Sequence, residues 1–219
     1  MSEVESRGPI AFDRETTRRN FLKTAAWTGA ALSAMGIGGF SLASRANAQD
    51  APYTTYQGLG DAAILQFAYQ LELLEGNFYA IGADSGLFVD TFLDQIAVIR
   101  DHEFAHADAI AATLGDLGED VPAEPAFTFP EDATADAATF LGYAATLEPV
   151  GIGAYQGAAP ALESPDILAA AISIHNAECQ HRCAIAIMNL IVPPNDIAFE
   201  EALPLGAVQD AVAPFGITG

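Results

Sequence analysis

Two short stretches of this chain pair a carboxylate with an imidazole one helical turn apart. They are Glu103-Phe104-Ala105-His106 and Glu178-Cys179-Gln180-His181. On a helix, Glu-x-x-His places both side chains on one face, where oxygen and nitrogen together can bind a divalent cation. With 14 Glu and 4 His in 219 residues, chance supplies about a quarter of one such pair per chain, so the surroundings decide. Glu72 stands 31 residues before Glu103 and is followed seven later by Tyr79. Glu148 stands 30 residues before Glu178 and is followed seven later by Tyr155. The chain therefore holds two copies of one constellation, offset by 75 or 76 residues.

Four glutamates aimed at one point of a helical core are too costly to bury ionised and unpaired. Two divalent cations would offset them, with two imidazoles as neutral nitrogen donors. Without metal, some of the carboxylates must take up protons. Oxygen and nitrogen donors suit iron, manganese or zinc, and the lack of thiolate ligands disfavours copper(I). Open coordination positions would admit oxygen or peroxide. One Glu from each of two helices, plus Glu-x-x-His from each of two others, is the ligand set of carboxylate-bridged di-iron and di-manganese bundles. The candidate metal ligands are Glu72, Glu103, His106, Glu148, Glu178 and His181.

Helices must carry these residues. Asp61 to Gly82 has no proline and repeats apolar residues at helical spacing, with Asp61 suited to begin a helix and Gly82 to end one. Asp90 to Gly115 repeats the pattern. Asp116 to Asp132 breaks it with Pro122, Pro125 and Pro130. A third helix is expected from near Ala133 and a fourth from about Pro165 to Leu190, stopped by Pro193-Pro194. The expectation is an all-α four-helix bundle about 35 Å long. The 17-residue break, extended at ~3.3 Å per residue, reaches about 56 Å, enough for one long crossover between helices two and three. A single crossover of that kind marks ferritin-like bundles. Residues 191–219 form a tail expected to pack on the bundle.

The charge is lopsided. Acids number 29 against 8 bases, a net −21, which argues against nucleic acid as a partner because phosphate contacts need clustered Lys and Arg. Six of the bases fall in the first 48 residues. Beyond them, only Arg100 and Arg182 face 25 acids. Two cysteines exclude a disulfide-stapled scaffold and any four-cysteine zinc module. The N-terminal segment contains Thr17-Arg18-Arg19-Asn20-Phe21-Leu22-Lys23, then 21 uncharged residues from Thr24 to Ser44, then Ala46-Asn47-Ala48. It resembles a bacterial twin-arginine export signal. The uncharged stretch is long enough to span a bilayer, but its glycines and small residues make it only mildly hydrophobic. The expectation is cleavage after residue 48, a mature domain over 49–190, no stable membrane span, and a periplasmic or extracellular location. Because this route exports folded proteins, the resemblance also raises the expectation of a preloaded cofactor.

From about Tyr56 to Leu190 the chain resembles exported bacterial ferritin-like domain proteins, the group sometimes called desiccation-related. Its six ligand positions are similar to those of bacterioferritin and the manganese catalases. That resemblance implies two iron or manganese ions, with Glu103 and Glu178 bridging them. Glu72, Glu148, His106 and His181 would be terminal ligands, and Tyr79 and Tyr155 would hydrogen-bond beside the centre. Phe104 stands where bacterioferritin carries a haem-ligating methionine, so no haem is expected. Pro149, directly after Glu148, removes a helical hydrogen bond and is expected to kink, bulge or break its helix.

Other residues admit plainer roles. Glu75 has Gly151 as its counterpart in the second copy, which favours Glu72 as the ligand and a rim or supporting position for Glu75. Tyr79 and Tyr155 also fit as core aromatics with satisfied hydroxyls. His102 lies about 100° from Glu103 around the helix and reads as a surface histidine. Arg100 and His175 suit capping or ion pairing, and Arg182 a surface acid. Cys179 and Cys183, four apart on one helix, suit packing better than a strained disulfide. The functional expectation is Fe(II) oxidation or peroxide detoxification by a dinuclear centre, with oxygen or peroxide as the small-molecule oxidant. The alternative is a non-catalytic metal-binding or desiccation-protection protein. A homo-oligomer is compatible with either.

Overall fold

Four long helices and one short one, with no strand, make up residues 52–217, the part described by the computed structural model. The export segment expected over residues 1–48 lies outside the described residues. Helix α1 spans Asp61–Asp84, α2 Asp90–Leu117, α3 Ala137–Ala158, α4 Pro165–Met188 and α5 Leu205–Val212. Short 3-10 turns at Pro52–Tyr56, Ala159–Ala161 and Ala213–Phe215 flank them.

Local chemistry sets the ends. Asp136 begins α3 by accepting a hydrogen bond from the Thr139 amide at 2.8 Å. The third helix thus starts later than Ala133, because the Pro-rich crossover continues up to this cap. Ser164 caps α4, with Pro165 in the first turn where no amide is needed. Gly118 closes α2 in the left-handed conformation at φ 75, which favours glycine, and the helix therefore runs past Gly115. Asp61 takes a different role from the expected cap, since α1 has no side-chain cap hydrogen bond. Its carboxylate accepts from the Glu163 and Ser164 amides at 2.8 and 2.9 Å, tying the start of α1 to the α3–α4 link. The fourth helix stops at Met188 rather than Leu190, and Leu190 takes a positive φ of 61.

Helix α1 packs on α2 and α3 packs on α4, and α1–α3 and α2–α4 contacts join the two hairpins. Phe140, at the start of α3, stacks on Phe78 near the end of α1, with centroids 4.4 Å apart. A Cβ on Gly82 would overlap the Phe140 ring, so glycine permits that approach. At the other end Ala158 clusters with Ile64. Helix α3 therefore runs antiparallel to α1 and parallel to α2, and residues 118–136 traverse the bundle as its single crossover.

The tail is ordered onto this frame. Val208, Val212 and Ile217 enter the main core beside Leu74, Phe78 and Phe140. The Leu203 amide donates to the Gly153 carbonyl at 2.9 Å, and a Cβ at Gly157 would meet the Leu203 carbonyl. Helix α3 runs through Pro149 without a break. Among the described residues, no helix is long and apolar enough to cross a membrane.

Candidate metal centre

Each long helix delivers two functional side chains to the middle of the bundle. Glu72 and Tyr79 come from α1, Glu103 and His106 from α2, Glu148 and Tyr155 from α3, and Glu178 and His181 from α4. The helical repeat places each pair one or two turns apart on an inward stripe. All eight are buried except His106, which is half-buried.

Their donor atoms converge. His106 Nδ1 lies 3.0 Å from Glu72 Oε2 and 3.3 Å from both Glu103 Oε2 and Glu178 Oε1. His181 Nδ1 lies 2.8 Å from Glu103 Oε1, 3.8 Å from Glu178 Oε1 and 4.0 Å from Glu148 Oε2. Two clusters result: Glu72, Glu103, His106 and Glu178, then Glu103, Glu148 and His181. Glu103 belongs to both. Ligand atoms bound at ~2.1 Å to one octahedral ion stand about 3 Å apart as neighbours and about 4 Å as opposites. The observed separations match that spacing.

Several of these atoms lack any aligned hydrogen-bond partner despite full burial. They are both oxygens of Glu103, both of Glu178, Oε2 of Glu148 and Nδ1 of His181. Buried polar atoms are ordinarily satisfied, and six unsatisfied ones facing one point fit a pair of cations. The donors are oxygen and nitrogen alone, a set that suits iron, manganese or zinc.

The outward-facing atoms are held by the opposite hairpin. Tyr79 donates its hydroxyl to Glu148 Oε1 and Tyr155 donates to Glu72 Oε1, so each tyrosine anchors the carboxylate of the other half. His106 Nδ1 also lies within hydrogen-bond distance of Glu72 Oε2. These contacts fix the glutamates in orientation before any ion enters.

The protein groups alone balance this charge with protons. Burial raises Glu72 to about 8, although its hydrogen bond with His106 opposes that. Burial and the neighbouring carboxylates push Glu148 well above the usual range. Burial by itself would raise Glu103, but His106 and His181 outweigh it and bring Glu103 down to about 2. Burial disfavours a charged His106, yet Glu103, Glu178 and Glu72 raise it to about 12. His181 is raised against burial to about 10, led by Glu103. Cations would replace these protons.

Two neighbours differ from their sequence reading. Glu75 does not sit at a rim, since it is only 5% exposed, which leaves the supporting position also expected of it. His102 is exposed as expected, but its Nδ1 lies 3.0 Å from His181 Nε2, with the rings stacked at 5.2 Å. Its spacing of four from His106 puts the two histidines on one helix face, but the contact with α4 is not visible in that spacing.

The remaining polar groups are peripheral. Arg100 pairs with Asp101 at 2.7 Å, and Arg182 with Glu200 at 3.2 Å and Asp196 at 3.6 Å. His175 faces Cys179 at 4.0 Å, and both cysteines are free. A largely apolar cavity of about 310 Å³ between the start of α1 and the end of α3 reaches Leu71, Ala154 and Tyr155.

Comparison with known families places residues 60–190 within a model described as a ferritin-like domain. No curated protein matches the chain.

Proposed function

Because the chain belongs to the ferritin-like domain family, we propose that its buried carboxylate and imidazole clusters hold a dinuclear iron or manganese centre that reacts with oxygen or peroxide. The convergence of unsatisfied Glu103, Glu148, Glu178 and His181 atoms carries this reading. Glu72, Glu103, His106 and Glu178 would hold one ion and Glu103, Glu148 and His181 the other, with Glu103 common to both groups. When bound, the metal pair supplies two one-electron couples, enough to reduce one peroxide, with two protons, to two waters.

The chain's own residues prepare that chemistry. Tyr79 and Tyr155 orient Glu148 and Glu72, and their phenols lie within reach of the centre as proton donors. His102 holds His181 from outside, which turns Nδ1 inward. The apolar cavity ending at Tyr155 favours small neutral molecules such as oxygen or peroxide over charged reductants. The N-terminal twin-arginine pattern supports export to the periplasm or beyond, with the metal loaded before translocation.

Peroxide-consumption and Fe(II)-oxidation assays test the reading, with Glu103→Ala and His181→Ala as controls. Turnover in the wild type and its loss in both variants is the expected outcome. Equal rates in all three would reject a catalytic centre. Stable metal binding without turnover would leave the non-catalytic alternative, a metal-binding or desiccation-protection protein.

A further inference from the structure

The two halves of the centre match at every candidate ligand and diverge one turn further on. Glu75 follows Glu72 by three residues on α1, and Gly151 follows Glu148 by three on α3. A Cβ built on Gly151 would lie 3.1 and 3.3 Å from the two oxygens of Glu75 and 3.4 Å from Glu178 Oε2. The Glu75 carboxylate thus fills the space that the missing side chain leaves, and flanks the same point as Glu178. Glu178 Oε2 is fully buried there and has no hydrogen-bond partner.

Glu75 differs from the other four glutamates in what surrounds it. Glu72 has Tyr155 and His106, Glu148 has Tyr79, and Glu103 and Glu178 face both imidazoles. A structural carboxylate is ordinarily buried with donors. Glu75 is only 5% exposed and lies beside the unpartnered Glu178 carboxylate, an arrangement that a cation reconciles.

We propose that Glu75 is a fifth carboxylate donor to the metal pair, accommodated by Gly151, which makes the centre asymmetric and richer in negative charge than its repeated motif specifies. The inference rests on the dinuclear reading above. Four carboxylates match two divalent ions in charge, and a fifth favours a higher total charge on the pair. Glu75 therefore lowers the reduction potential of the bound centre and tightens metal binding.

The test is anaerobic titration of the full chain with Mn(II), together with redox titration of the iron-loaded protein, for wild type, Glu75→Gln and Gly151→Ala. Glu75→Gln is expected to weaken Mn(II) binding by about tenfold or more and to raise the reduction potential. Its metal-free melting temperature is expected to stay equal or rise, because one acid leaves a crowded acidic core. Gly151→Ala keeps every glutamate but displaces the Glu75 carboxylate by a few tenths of an ångström, so it should shift both quantities in the same direction by a smaller amount. It also keeps the test decisive if Glu75→Gln does not fold. Unchanged affinity and potential in the folded variants would overturn the role of Glu75. Failure of the wild type to bind Mn(II) at all would instead overturn the dinuclear reading.

Discussion

The two helical hairpins carry the same four functional residues, yet their neighbours differ. In the first hairpin Glu75 crowds the centre and His102 lies against the ligand imidazole of the other half. In the second, the corresponding positions are Gly151 and Ala177. His106 faces three carboxylates within 3.3 Å and is raised to about 12, whereas His181 has one that close and is raised to about 10. The candidate donors thus repeat between the hairpins, while the space between them is unequal. The two metal positions should consequently differ in affinity, with the His106 side the tighter.

The shared member offers the hardest test of that picture. Glu103→Ala removes a donor from both clusters, and should lower affinity for both ions by about a hundredfold or more. Glu148→Ala should weaken only the His181 side. Mn(II) titration distinguishes the two, and similar losses from both variants would break the proposed sharing.

Next in size is the response to pH. Glu72, at about 8 in the folded chain against 4.5 as its ordinary value, favours the fold in its neutral form. That contribution is complete below about pH 4.5 and is lost as pH rises through about 8. His106 and His181 act with the same sign, their contributions present below 6.5 and lost through about 10 to 12. Glu103 has the opposite sign, with a contribution present above 4.5 and lost as pH falls through about 2. The metal-free protein should therefore lose thermal stability between pH 5 and 8, while Mn(II) affinity rises over the same range because fewer protons must be displaced. Parallel pH trends in melting temperature and affinity would contradict this.

Tyr79→Phe and Tyr155→Phe sharpen the comparison at a finer scale. Each removes one hydroxyl from one terminal glutamate, so each should cost about tenfold in affinity on a single side. His102→Ala should have the smallest effect, about two- to fivefold and confined to the His181 side, because its exposed ring shares its interaction with water.

The sequence carried much of this plan because the candidate ligands sit at fixed helical spacings. Glu-x-x-His and the 75- or 76-residue repeat identify which faces turn inward without any knowledge of packing. The crossover was legible from prolines that cannot continue a helix. Pro149 left open whether its helix would kink, bulge or break, and the helix is not broken there, because one held on two sides by packing can pass through one missing hydrogen bond. Glu75 was read as a rim or supporting acid, and its burial removes the rim while leaving the supporting position. Comparison of the two copies weighed the absence of a partner at Gly151 against Glu75 as a ligand, whereas packing turns that absence into room for its carboxylate. His102 was obscured because its contact reaches across from α2 to α4, and angular position on one helix does not report that. The cross-hairpin pairing of each tyrosine with the other half's glutamate likewise follows from tertiary approach, since sequence offset shows only that the tyrosines repeat.

The most direct measurement is metal content together with the electronic and magnetic spectrum of the full chain, purified after folding with Fe(II) or Mn(II) supplied. About two ions per chain with the signature of a coupled pair is the predicted result. Well under one ion per chain, or isolated ions without coupling, would contradict a dinuclear centre built on Glu103.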